Sequence, residues 1–344
     1  MNSAQATLEL LPKWFYILYI SLFGLCAGSF LNVVVLRGLK NESFLKGRSK
    51  CPKCHNQLAW YMNIPLISYI FLGGKCAFCK EKISIQYPIV EFFCAFLFVL
   101  SYLKLGFNID FFFSLAFIFL SLALFIEDIK ERVIIDYHTY SLAVFGLIYS
   151  LFPSSNLSFL ESILGAIFGF LGLEIFSRLS EKIFSQRAFG EGDSLIVLAY
   201  GAILGLKPLI LLIPLAILIQ ATLALPILSI DCFKKKKTNL GISYVFVFLS
   251  LIFLCLNKFL NLIKDENIYL IFVLLITALL VFALFNILKD IKEKKEKFSK
   301  LDIKDVYQKE NPYKLFPFGP ALVLSFLLCF YFKEEIIKIF KLFI

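Results

Sequence analysis

Two aspartates lie at the edges of apolar segments. Asp193 ends the tetrapeptide Gly190-Glu191-Gly192-Asp193, and Asp128 closes an earlier apolar run. A carboxylate beside hydrocarbon is costly to keep charged, so its presence there indicates a function. The two glycines permit close backbone approach or unusual dihedral angles before Asp193. The pair predicts an aspartyl active site, in which one carboxyl keeps a proton while the other activates water.

Each aspartate also has a purely structural interpretation. Asp128 is followed by Lys130 and Arg132, with which it would form an ordinary loop ion pair. Asp193 would be an N-cap after a glycine turn. Glu191, between the glycines, either tunes the aspartate pair or is simply solvated.

The composition places these carboxylates in a membrane. Hydrophobic residues make up 60% of the 344 residues, more than a soluble domain of this size needs for its core. This predicts an all-α polytopic membrane protein of about ten helices, the first of which is retained as an anchor. The predicted spans lie near 14–36, 88–103, 110–126, 137–152, 159–177, 194–206, 209–230, 241–257, 268–287 and 316–332.

The loop charges predict the orientation. Residues 37–87 carry nine Lys or Arg against two acidic residues, so this loop is expected on the cytoplasmic side. Threading the helices from that loop places Asp128 and Asp193 at the same cytoplasmic edge. The net charge of +10 is then attributed to orientation and to contact with membrane lipids, and no nucleic-acid partner is expected.

Four cysteines in this loop have the spacing of metal ligands. They form two Cys-x-x-Cys knuckles, Cys51–Cys54 and Cys76–Cys79, with 21 residues between them. Disulfides are disfavoured on the cytoplasmic side, so the spacing predicts a closed, structural tetrahedral zinc site. The alternative is a pair of disulfides or unrelated thiols. Cysteines in the apolar spans, such as Cys26, are predicted to be small core residues.

Other catalytic chemistries have little support in the sequence. The only histidines are His55 and His138, and both are interpreted as polar boundary residues without a catalytic role. There is also no phosphate-binding Gly-x-x-x-x-Gly-Lys-Ser/Thr loop.

Several motifs occur together in one order along the chain. They are Gly28-Ser29-Phe30-Leu31-Asn32, the two cysteine knuckles, Asn63-Ile64-Pro65-Leu66-Ile67-Ser68-Tyr69, Tyr87-Pro88-Ile89-Val90-Glu91, Asp128 with Asp136, Gly190-Glu191-Gly192-Asp193 and Pro317-Phe318-Gly319-Pro320. With them the chain resembles the type IV prepilin peptidases, which are Gly-x-Gly-Asp aspartyl membrane proteases. The resemblance implies a bifunctional bacterial inner-membrane enzyme with its active site on the cytoplasmic side. Such an enzyme removes the short basic leader of prepilins or pseudopilins, the substrates of type IV pilus and type II secretion systems. It then methylates the new amino terminus with S-adenosylmethionine.

The resemblance also implies roles for single residues. Asp128 and Asp193 match the catalytic aspartates, with Gly190, Gly192 and Asp136 in supporting positions. Asp136 is expected to support the start of the helix that follows it, as an N-cap. The methyl-donor site is expected near the loop 37–87 and its membrane edges.

In that region, Glu91 is the candidate cofactor-binding residue. Met62 stands where the family has an acidic residue, which makes methyl transfer less secure than cleavage. An inserted apolar pair and charged linker before Pro317 also depart from the family pattern. About eight helices are then family-like and two are inserted.

These features predict five segments and leave other functions open. The segments are an N-terminal transmembrane helix at 1–36, a cytoplasmic four-cysteine loop associated with methyl transfer at 37–87, an aspartyl peptidase core at 88–233, the inserted pair and linker at 234–315, and a C-terminal helix and tail at 316–344. One alternative is a peptidase without methyltransferase activity. Another is a transporter that uses the aspartates as a proton relay, and a non-catalytic component that binds pilin leaders is a third.

Overall fold

The chain is helical throughout the part that the structure describes. The computed structural model describes residues 12–260, except 46, 156, 185–186 and 235–236, together with 286, 289, 317–332 and 336. Its helices are α1 (Lys13–Gly38), α2 (Ile67–Phe71), α3 (Gln86–Leu105), α4 (Ile109–Glu131), α5 (Asp136–Tyr149), α6 (Phe159–Phe184), α7 (Glu191–Leu204), α8 (Leu206–Lys234), α9 (Thr238–Leu260) and α10 (Gly319–Tyr331). Short 3₁₀ turns occupy Trp60–Asn63 and Pro153–Ser155. No β-strand occurs among the described residues, so the predicted all-α class is confirmed.

Five of the described helices are long and apolar enough to cross a membrane, namely α1, α3, α4, α6 and α8. The predicted spans near 137–152 and 194–206 are helical but contain only 14 residues each, as α5 and α7. At 1.5 Å per residue such a helix is about 21 Å long, less than the roughly 30 Å of a hydrocarbon core. The predicted span near 268–287 and the charged stretch 289–304 lie, apart from residues 286 and 289, outside the described residues.

The chain divides into two compact units. One comprises the described residues within Met1–Ile213 and Phe318–Lys333, and the other those within Pro214–Pro317 and Glu334–Ile344. Both aspartates, the four clustered cysteines and α10 belong to the first unit.

Small residues let α1 and α3 pack closely. A Cβ atom added to Gly28 would lie 2.7 Å from the Cα atom of Glu91, and one added to Gly24 would lie 2.5 Å from the Cα atom of Ala95. Only glycine fits at such distances, which is the usual basis of tight helix pairs in membranes. The motif that begins at Gly28 is therefore packed against the motif that ends at Glu91.

Contacts inside the first unit hold α10 against α7 and against α3, which is linked in turn to the start of α4. The ring of Tyr200, which is fully buried, stacks on Phe326 with ring centroids 4.1 Å apart. Tyr331 bonds to Ser101, whose hydroxyl in turn lies 2.7 Å from that of Ser114. These contacts set the position of α10 relative to the neighbouring helices of the first unit.

A tight connection joins α4 to α5. Arg132 adopts a left-handed conformation with φ 56°, and its N–H donates to the carbonyl of Asp128 at 3.1 Å. α5 then begins at Asp136, but its N-cap is Ile135, without a side-chain cap. The prediction that Asp136 is the N-cap is therefore wrong, because the N-cap is one residue earlier. Its exposed carboxylate lies in the first turn, where the helix dipole favours negative charge.

Candidate active site

Asp128 is buried at the end of α4 and is held by the start of α10. Its side chain is only 7% exposed, and Oδ2 accepts a hydrogen bond from the backbone N–H of Gly319 at 2.7 Å. A Cβ atom at Gly319 would lie 2.5 Å from that oxygen, so only glycine allows this approach. Arg132 also attracts the carboxylate electrostatically. The motif around Gly319 thus contacts the predicted catalytic aspartate directly.

Asp193 lies in the first turn of α7, where its Oδ2 atom accepts a hydrogen bond from the N–H of Gly190 at 3.0 Å. The two glycines before it differ. A Cβ atom at Gly192 would lie 2.7 Å from Cγ1 of Ile134, in the connection between α4 and α5, whereas one at Gly190 would meet nothing closer than 3.6 Å. Gly190 also has an ordinary φ of −72°. Close backbone approach therefore explains Gly192 but not Gly190.

The fold brings the two aspartates together. Asp128 and Asp193 interact electrostatically, although 64 residues separate them in the chain. The backbone N–H groups of Gly319 and Gly190 each occupy one oxygen of one carboxylate. The remaining oxygen, Oδ1, has no backbone donor among the described residues in either case. Two carboxyls that interact in this way suit general acid–base work on a carbonyl.

A buried glutamate–histidine pair lies directly beside this site, and the sequence interpretation missed it. Glu127 is fully buried, and its Oε1 atom lies 2.5 Å from Nδ1 of His138. Its other oxygen, Oε2, accepts the N–H of Ile135 at 3.0 Å. His138 is thus a buried partner rather than a boundary residue. An acid inside an apolar helix, directly before a catalytic candidate, was the signal available in the sequence.

The loop between α6 and α7 is tied down by charges and hydroxyls. Arg187 pairs with Glu191 at 2.7 Å and with Glu181 at 3.0 Å, and the Glu191 side chain is 76% exposed, so it is solvated as well as ion-paired. The hydroxyl of Ser177 donates to the carbonyl of Phe189 at 2.7 Å. These contacts anchor the segment that leads into Gly190.

The four loop cysteines converge as the spacing predicts. The Sγ atoms of Cys51, Cys54, Cys76 and Cys79 all lie within 4.8 Å of one another, and those of Cys51 and Cys79 are 3.9 Å apart. A zinc tetrahedron with bonds of about 2.3 Å has sulfur–sulfur edges of about 3.8 Å, so the cluster fits a zinc knuckle. By contrast, Cys26 is exposed on α1, so the prediction that it is a core residue is wrong.

The four thiols of the cluster are electrostatically linked. Backbone N–H groups of Cys79 and Phe78 lower the pKa of Cys76 to about 7. A hydrogen bond from the backbone of Glu81 lowers the pKa of Cys79, but desolvation and the neighbouring thiols together raise it to about 11. One thiolate therefore opposes the formation of the next. A divalent metal would remove this opposition, because every ligating sulfur binds as thiolate.

Glu91 lies on α3 and contacts both α1 and the loop that precedes α3. Its carboxylate, in a side chain only 7% exposed, accepts the N–H of Leu66 at 2.8 Å and interacts with Ser29. Leu66 has a positive φ of 57°, a conformation that costs energy in a residue with a side chain. Where α1 packs on α3, Asn32 donates to the carbonyl of Tyr87 at 3.4 Å. The buried Oδ1 atom of Asn32 has no partner in the described part of the chain.

A helical membrane bundle with an interacting aspartate pair has the features of a membrane aspartyl peptidase, and comparison with known proteins gives the family. Residues 22–105 match the model for the bacterial peptidase A24 N-terminal domain, and residues 115–225 match the model of the type IV leader peptidase family. The first match contains the cysteines and Glu91, and the second contains both aspartates. The chain belongs to the type IV leader peptidase family.

Individual relatives support this assignment. The chain is 34% identical over 205 residues to a prepilin leader peptidase/N-methyltransferase of Vibrio cholerae, covering 57% of this chain and 80% of that protein. A protein of the same description from Pseudomonas aeruginosa is 31% identical over 241 residues, with 62% and 82% covered. One from Myxococcus xanthus is 32% identical over 206 residues; the match covers 58% of this chain and 60% of the relative's length. No solved structure matches the chain at a significant level.

Proposed function

We propose that this protein is a bacterial inner-membrane aspartyl peptidase that cleaves the short basic leader of type IV prepilins or pseudopilins on the cytoplasmic side. It then methylates the new amino terminus. The observation that carries the proposal is the electrostatic interaction between Asp128 and Asp193, whose carboxylates are held by backbone N–H groups of Gly319 and Gly190. Family membership supports the substrate class.

The two carboxyl groups would divide the chemistry of hydrolysis. One aspartate, as carboxylate, takes a proton from a water molecule whose oxygen attacks the scissile carbonyl carbon. The other, protonated, donates its proton to the carbonyl oxygen. When the tetrahedral intermediate collapses, the C–N bond breaks and a proton passes to the leaving amine. Because the two carboxyls are coupled, the role of general base belongs to the pair and is not assigned to one residue.

The N–H groups at the site would favour one arrangement of this pair. Gly319 and Gly190 each donate to an Oδ2 atom, which therefore acts as an acceptor. The shared proton and the catalytic water would then use the Oδ1 atoms. In a water-poor site such fixed donors act without reorganisation during the reaction.

The cysteine-containing loop, which covers residues 39–85 between α1 and α3, would serve methyl transfer together with the start of α3. Cys51, Cys54, Cys76 and Cys79 would hold a structural zinc ion that folds the loop, because four sulfur ligands leave no position for a reacting water. S-adenosylmethionine, when bound, supplies a methyl group to the new amine. Glu91 and the unpartnered Oδ1 atom of Asn32 offer buried acceptors for an ammonium group. These acceptors would hold S-adenosylmethionine or orient the new amino terminus that receives the methyl group.

The test is a cleavage assay on protein purified in detergent. The substrate has a basic leader that ends in glycine before an apolar helix, and mass spectrometry follows the product. Wild type is expected to release the leader, whereas Asp128→Asn and Asp193→Asn are expected not to. Equal cleavage by all three proteins would refute the assignment of the pair. With S-adenosylmethionine added, the mature product should gain the mass of one methyl group, and complete cleavage without this gain would refute the methyltransferase half.

A further inference from the structure

The buried pair beside the active site suggests a role that neither the family assignment nor the catalytic aspartates explain. Glu127 precedes Asp128, yet its side chain is fully buried and its carboxylate is engaged through both oxygens. One oxygen bonds the N–H of Ile135 and the other bonds His138, both of which follow the turn at Arg132. Glu127 therefore joins the end of α4 to the start of α5 across the turn.

This turn carries the side chain that locates the second aspartate. Between Arg132 and Ile135, Ile134 lies so close to Gly192 that a Cβ atom there would be 2.7 Å from its Cγ1 atom. Gly192 is the residue before Asp193, in the first turn of α7. A shift of the turn would thus be transmitted through Ile134 to the backbone that carries the catalytic carboxylate.

We propose that Glu127 and His138 are a positioning pair that fixes the separation of the two catalytic aspartates. Glu127 sets the conformation of residues 132–135, and these residues set the start of α7. His138 completes the coordination of Glu127, which leaves no buried carboxylate oxygen unsatisfied. Both oxygens of Glu127 are engaged by Ile135 and His138, so the pair is assigned a positioning role and no contact with the reacting atoms. This inference rests on the proposed function for its kinetic test, but not for its structural test.

The kinetic test compares steady-state prepilin cleavage by substituted proteins. Glu127→Ala is expected to lower kcat about 10-fold or more with KM changed less than about 2-fold, because a 1 Å misplacement at a catalytic pair is costly whereas the leader-binding surface is untouched. Glu127→Gln, which still offers an acceptor to Ile135 and an amide to His138, is expected to retain at least about half of the wild-type kcat. Glu131→Ala, an exposed glutamate at the end of the same helix, is the matched control.

A second variant guards against loss of folding. His138→Leu removes only one partner of Glu127 and should also lower kcat by several-fold. The double variant Glu127→Ala with His138→Leu should be no worse than Glu127→Ala alone, because residues that act as a unit are non-additive. Wild-type kcat in both single variants would overturn the proposal. So would strictly additive losses.

The structural test uses hydrogen exchange and needs no substrate. In Glu127→Ala, or in His138→Leu if the alanine variant does not fold, the amides of Ile135 and Gly190 should exchange about 10-fold faster or more than in wild type. Gly190 is informative because its N–H bonds the carboxylate of Asp193. Unchanged exchange at Gly190 would overturn the proposal even if activity fell. A wild type that cleaves nothing would refute the proposed function, while the exchange result would still decide whether the pair positions Asp193.

Discussion

Replacement of Gly319 by alanine tests the geometry of the active site at one atom. The new Cβ atom would lie 2.5 Å from Oδ2, 3.0 Å from Cγ and 3.2 Å from Cβ of Asp128. Ordinary contacts begin near 3.4 Å, so the aspartate and the start of α10 must move apart by about 1 Å. The hydrogen bond between the N–H of Gly319 and Asp128 would be lost or weakened.

The expected loss follows from this bond. A hydrogen bond to a charged group contributes about 1.5–3 kcal/mol, and each 1.4 kcal/mol is a factor of about 10 in rate. Gly319→Ala should therefore lower kcat for leader cleavage by about 10- to 100-fold. The assay is prepilin cleavage followed by mass spectrometry, with the melting temperature in detergent measured on the same preparation. Methylation of a pre-cleaved product should be unaffected, because the three atoms nearest to the new Cβ all belong to Asp128.

Gly172→Ala provides the control within the same chain. This glycine lies in α6, and within the described part of the chain no atom beyond its own helical turn lies within 4 Å of the position that its Cβ would occupy. An alanine there should raise helix stability slightly and leave cleavage unchanged. If Gly319→Ala cleaves as fast as Gly172→Ala, the contact with Asp128 does not matter for the reaction and the reasoning is refuted.

Three other predictions follow from the same structure. Gly192→Ala should lower cleavage at least about 10-fold, and Ile134→Ala in the same chain should restore part of it, because it removes the nearest atom, Cγ1, although the Cβ atom of residue 134 stays 3.0 Å away; no restoration would show that another contact limits the site. Cys51→Ser should remove the bound zinc, measured by elemental analysis, and make the loop sensitive to protease, whereas the exposed Cys26→Ser should keep one zinc per chain; a wild type without metal would contradict this. Glu91→Gln preserves the acceptor for the loop N–H but removes the charge, so the product should be cleaved yet unmethylated by mass, and full methylation would exclude this glutamate from the transfer site.

The chemistry-bearing residues could be predicted because their signals are local in the chain. Two knuckles of two cysteines each specify a metal cluster by spacing alone, and the four sulfurs do converge. Asp128 and Asp193 were recognised because a carboxylate at the edge of an apolar run is costly wherever the chain later places it. Most helices were also predictable, since their apolar length is a property of each segment. The segments predicted at 137–152 and 194–206 do form helices, but with 14 residues each they are shorter than a full membrane span.

The sequence by itself determined which residues carry charge, sulfur and flexibility, and that they belong to a helical membrane protein. Only the tertiary structure decided which of them meet. Gly319 contacts Asp128 across 191 residues, and Ile134 explains why Gly192 has no side chain. Motifs in the sequence contain Gly319, Asp128 and Gly192, but they do not say which residues meet, because close packing depends on the paths of separate segments of the chain. For the same reason Glu127, one residue from a predicted catalytic aspartate, was identified as a buried partner of His138 only in the folded chain.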